Sequence, residues 1–560
     1  MEIAGTRESL VQKKTLPWDA TSWMFYILVL LVVSLPLSEF GMSISQFLLF
    51  GFWIFEGADY SLKRKGYSFI KIILNNVTGK FRALFSNYTL LAFLAFYLLL
   101  VVGLLYSTDL DYGLKDLRVK LPLFTLPILI GTSTALTNRK FITLLLFFTL
   151  AVISGSLISF TVFMTQPISD PREISIFISH IRFGLLISLA VFILLGFLRY
   201  NVFPAKFSKL LIVTGVVWLL VFLFILKSFT GISITILVGV LFLIILSYRR
   251  LKILIPVVLI LLTLTILGYR FVKTIYNDLT VAKPLPEKDE VVLTDLGNSY
   301  THDTLLFGIE YGSYVGSYLA LDELKDAWNK RSEFEFDGKD KKGQEVKYTL
   351  IRFLHSKGFR KDAEGVSKLT QEEVQQIENG VTNAEYIHGL SIKGYIEQVM
   401  MGYISYKKEN NPNASSMMQR IEYWKTSFYI IEKHLLLGNG TGDVRQSFEI
   451  AYEETQSNLL PEYRHRAHNQ FLTITVAMGI VGLLVFLISI WYPPLVLGKF
   501  NNYYYLIFFS IAIMSFMTED TLETQAGATF FAFFSAMMLF GVRKEVDDNS
   551  RTIKYVDKTE

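Results

Sequence analysis

The sequence predicts an all-α polytopic membrane protein with about twelve transmembrane helices and one large, mainly helical loop domain outside the bilayer. Three observations lead there. The 560 residues are 52% hydrophobic and only 18% charged, and they include 46 Phe and 29 Tyr; soluble domains carry about a quarter charged residues. Apolar runs such as SWMFYILVLLVVSLPL (22–37), LLLFFTLAVISGSLISFTVFM (144–164) and ILIPVVLILLTLTILGY (253–269) approach the roughly 20 residues that cross a bilayer. Basic clusters flank alternate runs. The first run is preceded by a polar stretch and lacks a small-residue cleavage site, so it is read as a span and not a cleavable leader.

Taken in order, spans are expected near 22–38, 43–57, 88–106, 121–137, 141–164, 182–199, 209–227, 230–248, 252–271, 468–491, 502–518 and 526–542. With the N-terminus inside, Lys13, Lys14, Lys63, Arg64, Lys65, Lys71, Lys80, Arg82, Arg139, Lys140, Arg199 and Lys206 fall on one face. Arg249, Arg250, Lys252, Lys499, Arg543 and Lys544 follow there. This is the positive-inside pattern, giving an N-in, C-in topology. The divisions are 1–272 (N-terminal membrane region, about nine helices), 273–466 (the outer loop domain), 467–543 (three further helices) and 544–560 (a short charged tail). Within the loop, LALDELKDAWNK and LTQEEVQQIENG read as helices, and EFDGKDKKGQEVKYTLIRFL (335–354) as a turn or short hairpin. There is no cysteine, so neither a disulfide nor a thiolate metal site is available.

Arg118, Lys120, Arg172, Arg182, Lys227 and Arg270 break the charge rule by falling on the outer face. Each alone is read as snorkelling to headgroups or pairing with Asp116 or Glu173. As a set they suit an anionic, phosphate-bearing ligand, because guanidinium groups take two phosphate oxygens at once.

The segment 420–482 concentrates the chemistry. Ile421, Trp424, Phe428, Ile431 and Leu435 recur at helical spacing, read as an apolar stripe that packs inward, and Gly438, Asn439 and Gly440 end that helix. The GNGTGDV turn reads either as a helix cap or as a nest of backbone N–H groups for an anion. Arg464, His465, Arg466 and His468 then stand where a hydrophilic domain meets the bilayer, with Arg464 one helical turn before His468 if the helix reaches that far. A polar cationic site at the mouth of a span is expensive, and its default reading is functional. His465 and His468 lack a third metal ligand at a motif spacing. Asp109-x-Asp111 on an outer loop is a second pattern of metal-binding type, a short one of the kind some glycosyltransferases use to hold a metal.

Arg420–Trp424 followed by LLLGNGTGDV and AHNQFLTITVAMGIVGLL resembles the signature region of the O-antigen ligase / O-antigen polymerase superfamily. The resemblance extends to TEDTLETQAGATFFAFF (518–534), KLPLFTLPILI (120–130), ISHIRFG (178–184) and the loop stretch LIRFLHSKGFRKDAEGVSKLT. It implies a bacterial inner-membrane protein with a large periplasmic loop before its last three spans. The implied activity is transfer of a glycan from a polyprenyl (undecaprenyl) diphosphate carrier to an acceptor such as lipid A-core, another glycan or a protein. By this resemblance His468 is the catalytic residue that activates the acceptor hydroxyl, and Arg182 and Arg420 bind diphosphate. Many relatives carry an arginine where this chain has Phe229 in KSFTGIS, so Lys227 would supply that charge, as a point charge and not a fork. Ala477 and Met478 precede Gly479, where an acidic residue is common in relatives.

The expected chemistry is an inverting displacement at the anomeric carbon, without metal or other cofactor, with Arg464 and Arg466 adding to the diphosphate pocket. His180, Glu519, Asp520 and Glu523 would orient the histidine or meet the acceptor. The partners expected are membrane lipids, the lipid-linked donor and the acceptor, and no nucleic acid. O-antigen ligation is the leading expectation. A polymerase or a protein O-oligosaccharyltransferase would share the same site chemistry. A lipid-linked glycan transporter would favour charges at the bilayer midplane and broken helices in related halves.

Overall fold

The computed structural model describes residues 20–166, 171–247, 250–282, 292–306, 308–387, 392–413 and 415–543. Lys13, Lys14, Arg249, Lys544 and the tail 544–560 lie outside the described residues. The chain divides into two compact units. One comprises residues up to 245, 423–457 and 464 onward; the other comprises 246–422 and 458–463.

The first unit opens with α1 (Ala20–Leu37), α2 (Glu39–Phe55), α3 (Phe69–Ser86), α4 (Tyr88–Gly103) and α5 (Leu110–Lys120). It continues through α6 (Pro122–Gly131), α7 (Asn138–Thr165), α8 (His180–Arg199), α9 (Lys206–Ile225) and α10 (Phe229–Ser247), the last ending in the second unit. Short polar side chains start these helices by accepting a first-turn N–H: Ser38 for α2, Asn87 for α4, Thr137 for α7 and Ser179 for α8.

The second unit holds α11 (Leu251–Thr280), which runs past the boundary read at 273. Two small antiparallel pairs follow: β1 (Thr301–Asp303) with β4 (Gly316–Leu319), and β2 (Ile309–Glu310) with β3 (Ser313–Tyr314). The β2–β3 turn places Tyr311 and Gly312 at φ 54° and 70°, the left-handed pair that matches strand twist in a tight hairpin. Helices α12 (Leu321–Asn329), α13 (Val346–Ser356), α14 (Ala363–Ser367), α15 (Gln371–Glu378) and α16 (Ile392–Glu409) complete it. The stretch 335–354 is a turn closed by one bridge, Lys339 to Glu345, and its second half is helix α13. Trp328, Leu350, Phe353, Leu354 and Val374 centre the core. Against it lies a buried polar cluster. His355 Nε2 donates to the Glu310 carbonyl (2.8 Å), and Nδ1 accepts from Lys361 Nζ (3.1 Å), which also donates to the Ser317 carbonyl (3.0 Å).

Helix α17 (Ser416–Lys433) crosses from the second unit into the first. The first unit then closes with α18 (Val444–Glu454), α19 (Gln470–Val496), α20 (Tyr503–Thr518) and α21 (Gln525–Leu539).

Among the described residues, seven helices are long and apolar enough to cross a membrane, and four shorter apolar helices accompany them. The protein is a multi-pass, mainly helical membrane protein. The span expected at 121–137 is instead the ten-residue α6, which opens at Pro122 directly after α5; proline suits a helix's first position, where its missing N–H would have had no intrahelical partner. Ten residues rise about 15 Å, half a hydrocarbon core. Helix α8 is buried along nearly all its length, whereas α9 is apolar yet largely exposed. That inversion fits a helix whose surrounding solvent is lipid.

The inward-packing stripe expected on α17 is corrected. Tyr423, Thr426, Ser427 and Ile430 are the buried face, while Trp424 and Phe428 are exposed, as is Leu435 beyond the helix end. Helical spacing identifies an apolar face but not whether protein or lipid covers it.

Candidate functional site

The site of the first unit is assembled where α19 begins. Helix α19 starts at Gln470, capped by Asn469, whose side chain accepts the N–H groups of Phe471 and Leu472. Residues 464–469 are therefore not helical, and Arg464 does not stand one helical turn below His468. His468 has φ +46°, a left-handed conformation uncommon in a non-glycine residue. Such residues persist where their surroundings over-determine them. Here the surroundings are explicit. Asp520 accepts the N–H of His468 (3.1 Å), the N–H of Asn469 (3.0 Å) and the hydroxyl of Thr473 (2.7 Å). The His468 ring stacks on Tyr423, centroids 5.5 Å apart, and its Nδ1 lies 3.2 Å from Oε2 of buried Glu519.

The three acidic residues of the TEDTLE segment thus divide the work. Glu519 faces the imidazole and Asp520 fixes its backbone. Glu523 accepts from Lys120 (2.9 Å), Arg466 (2.7 Å) and Gln470 Nε2 (3.0 Å). Lys120 also pairs with Asp116 at 2.6 Å. Burial alone would raise the Glu523 carboxyl, but Lys120 and Arg466 outweigh it and hold it down to about 2. Asp116 goes the other way: burial outweighs Lys120 and raises it to about 6, with Glu523 adding to the rise. The cations expected on the outer face are therefore not a bare positive pocket; buried carboxylates interleave Lys120 and Arg466.

Arg182 sits in the first turn of α8. Its Nη2 donates to the Asp520 carbonyl (2.9 Å) and its Nε to Thr524 Oγ1 (3.1 Å), while Nη1 is buried with no hydrogen-bond partner among the described residues. Asp520 hence joins Arg182 to His468, one through its carbonyl and the other through its carboxylate. His180 opens the same helix two residues earlier. Lys227, at φ +50°, precedes Ser228, which packs so closely on Gly184 that a Cβ there would stand 2.3 Å from the Ser228 hydroxyl. This brings Lys227 beside the turn that carries Arg182. Arg464 turns instead to Glu453 of α18, and Arg420 belongs to the second unit.

The glycine-rich turn is not an anion nest. Its N–H groups are spent within the protein, Asn439 donating to the Val476 carbonyl (3.0 Å), Gly440 to that of Ala477 (2.8 Å), Gly438 to that of His434 (3.0 Å) and Gly442 to Ser107 Oγ (2.9 Å). Helix α19 is broken at Gly479 (φ 61°, ψ −164°), and Ile480 N–H, orphaned by the break, donates to the Leu435 carbonyl (2.8 Å). A Cβ on Gly479 would stand 2.2 Å from the Leu436 carbonyl oxygen. The turn serves as the hydrogen-bond partner of a broken helix, whose freed backbone groups need partners. Asp109 is likewise occupied, capping α5 by accepting the Tyr112 N–H.

Residues 378–487 match the family model described as O-antigen ligase. That stretch of the chain is similar to the O-antigen ligase family. The match supports the O-antigen ligase superfamily and takes in α17, the glycine-rich turn, His468 and the break at Gly479. No curated protein matches the chain significantly. The sequence points to His468 and the acidic trio, but not to Tyr423, Gln470 or Thr473, as parts of the site. Gln470 was visible inside the AHNQF motif. Tyr423 and Thr473 carry no local signal, since their roles depend on contacts across the fold.

Proposed function

We propose that this protein is a membrane glycosyltransferase that moves a glycan from an undecaprenyl diphosphate carrier to an acceptor hydroxyl, by ligation to lipid A-core on the periplasmic face of the inner membrane. The observation that carries this reading is the His468–Glu519 pair at the mouth of α19, whose histidine lies in the segment similar to O-antigen ligase. With Nδ1–H donated to Glu519, the Nε2 lone pair accepts the acceptor's proton. The acceptor oxygen then bonds to the anomeric carbon from the face opposite the diphosphate. The carbon–oxygen bond to phosphate breaks, its electron pair leaving on the diphosphate, and the configuration inverts.

Arg182, with its unpartnered Nη1, and Arg466 are the groups assigned to the departing charge, with Lys227 and Arg420 as further ligands and Arg464 at the periphery. Lys120 is tied to Asp116 and Glu523 and acts on the pocket through Arg466's partner. Preorganised donors in a partly dry site stabilise developing charge more than water does.

Two measurements test this. In a deletion strain, loss of polymer from lipid A-core with lipid-linked polymer accumulating supports ligation, whereas single repeats left on the core make the protein a polymerase. With purified protein and a defined polyprenyl diphosphate donor, Arg182→Ala or Arg420→Ala should raise the donor KM more than the acceptor KM, and lysine should rescue only partly. Full activity in both alanine variants removes the diphosphate pocket.

A further inference from the structure

We infer that α3 is an in-plane membrane-surface helix that binds an anionic lipid surface. The helix shows three faces instead of two. Ile72, Lys80 and Leu84 are buried against the protein. Ile70, Leu74, Val77, Phe81 and Phe85 fall in a sector about 80° wide at 3.6 residues per turn. Of these, Ile70, Leu74, Phe81 and Phe85 are 69%, 59%, 43% and 66% exposed. Lys71, Asn75, Thr78 and Arg82 form the third, exposed polar face.

The contacts of α3 fix its attitude. Asn76 Nδ2 donates to the carbonyls of Ile54 (3.0 Å) and Glu56 (2.9 Å), and Lys80 Nζ donates to the Trp53 carbonyl (2.7 Å) and pairs with Glu56 (2.5 Å). The middle of α3 therefore abuts the last turn of α2 and satisfies the carbonyls that end it. A helix set across the end of an apolar span, and not alongside it, lies at the level where that span leaves the hydrocarbon.

Charge complementarity names the occupant. Residues 60–87 contain six basic side chains and no acidic one, and Lys71 and Arg82 border the apolar sector. An exposed Phe/Leu/Ile face flanked by Lys and Arg is the pattern that seats its apolar side among acyl chains and its cations among anionic headgroups.

The chain has no cysteine, so single cysteines at Leu74, Phe81, Asn75 and Thr78 in the full-length protein can carry nitroxide labels after reconstitution into vesicles. Labels at 74 and 81 should collide with dissolved oxygen more than with a water-soluble nickel chelate, and labels at 75 and 78 the reverse. In vesicles containing phosphatidylglycerol the label at 81 should sit deeper than in pure phosphatidylcholine, and Lys71→Gln/Arg82→Gln should abolish that difference. Equal collision ratios on both faces overturn the in-plane helix. Shielding at 81 from both reagents means a protein partner or second copy covers it, and the inference fails. A depth indifferent to lipid charge also overturns it.

Discussion

Asp520 holds His468 by its main chain and not by its ring: the carboxylate accepts the His468 N–H at 3.1 Å and the Asn469 N–H at 3.0 Å. This bidentate hold sits at the start of α19, where unpaired N–H groups and the helix dipole both favour an anion. The imidazole is thereby placed by a residue that does not touch it. Its orientation is left to Glu519 and Tyr423.

Asp520→Asn keeps the size but offers one oxygen where three donors converge. Hydrogen bonds to a charged group are worth about 1.5–3 kcal/mol each, so kcat should fall roughly tenfold to a hundredfold with the donor KM nearly unchanged. Steady-state transfer kinetics on purified protein check this; an unchanged kcat means the left-handed backbone at His468 holds itself.

His468→Ala should abolish transfer while leaving membrane insertion and donor binding close to normal, since a general base is worth about 10²–10⁴ in rate. His468→Gln should be as inactive, because an amide takes up no proton at neutral pH. Glu519→Gln should retain partial activity, as it keeps a hydrogen-bond acceptor for Nδ1–H but loses the negative charge that stabilises an imidazolium. Near-parental transfer by the glutamine variant of His468 would show the histidine to be structural.

Gly479 and Gly498 both have positive φ, 61° and 65°, but only Gly479 meets backbone where a Cβ would stand. Alanine at Gly498 should cost about 1–2 kcal/mol for its left-handed conformation. At Gly479 the clash with the Leu436 carbonyl adds to this, and about 1–3 kcal/mol more is expected. Thermal unfolding of the two purified variants should separate them clearly; equal midpoints would mean the turn at 435–440 gives way without penalty.

The loop unit carries an acid-sensitive contact. Burial and the neighbouring Lys361 lower His355 from 6.5 to about 4, so the folded unit keeps it neutral. A depressed value means stability fully present above pH 6.5 and lost as pH falls through about 4, on the order of a few kcal/mol. Burial lowers Lys361 to about 8; it is charged throughout that window and contributes no slope. Hydrogen exchange of α13 in the full-length protein, corrected for intrinsic rates, should accelerate between pH 6 and 4 (roughly the range set by the shift). The His355→Gln variant should lose this dependence.

Much of this was legible in the sequence, and the failures have physical causes. Apolar runs and flanking charge located α7, α8 and α19, because hydropathy is a property of the segment itself. His468 stood out for the same reason, as a polar group beside a span. The glycine-rich turn was open to a wrong reading because its N–H partners, the carbonyls of Val476 and Ala477, lie some forty residues further on. The α17 stripe was legible as apolar but not as outward-facing, since water-excluding protein and water-excluding lipid leave the same pattern. Arg466 and Lys120 were legible as cations; that both meet Glu523 depends on a contact 403 residues long for Lys120.

The break in α19 has a consequence for what lengths of chain this architecture accepts. Leu435, Asn439 and Gly440 exchange hydrogen bonds with Val476, Ala477 and Ile480 residue against residue, with two glycines pressed backbone to backbone. One residue inserted between Leu435 and Asn439 would put the Leu435–Ile480 bond out of register with those of Asn439 and Gly440. The spacing from the end of α17 to His468 is therefore set like the teeth of a ratchet: the chain that brings Tyr423 to the imidazole is indexed against the very span that presents it.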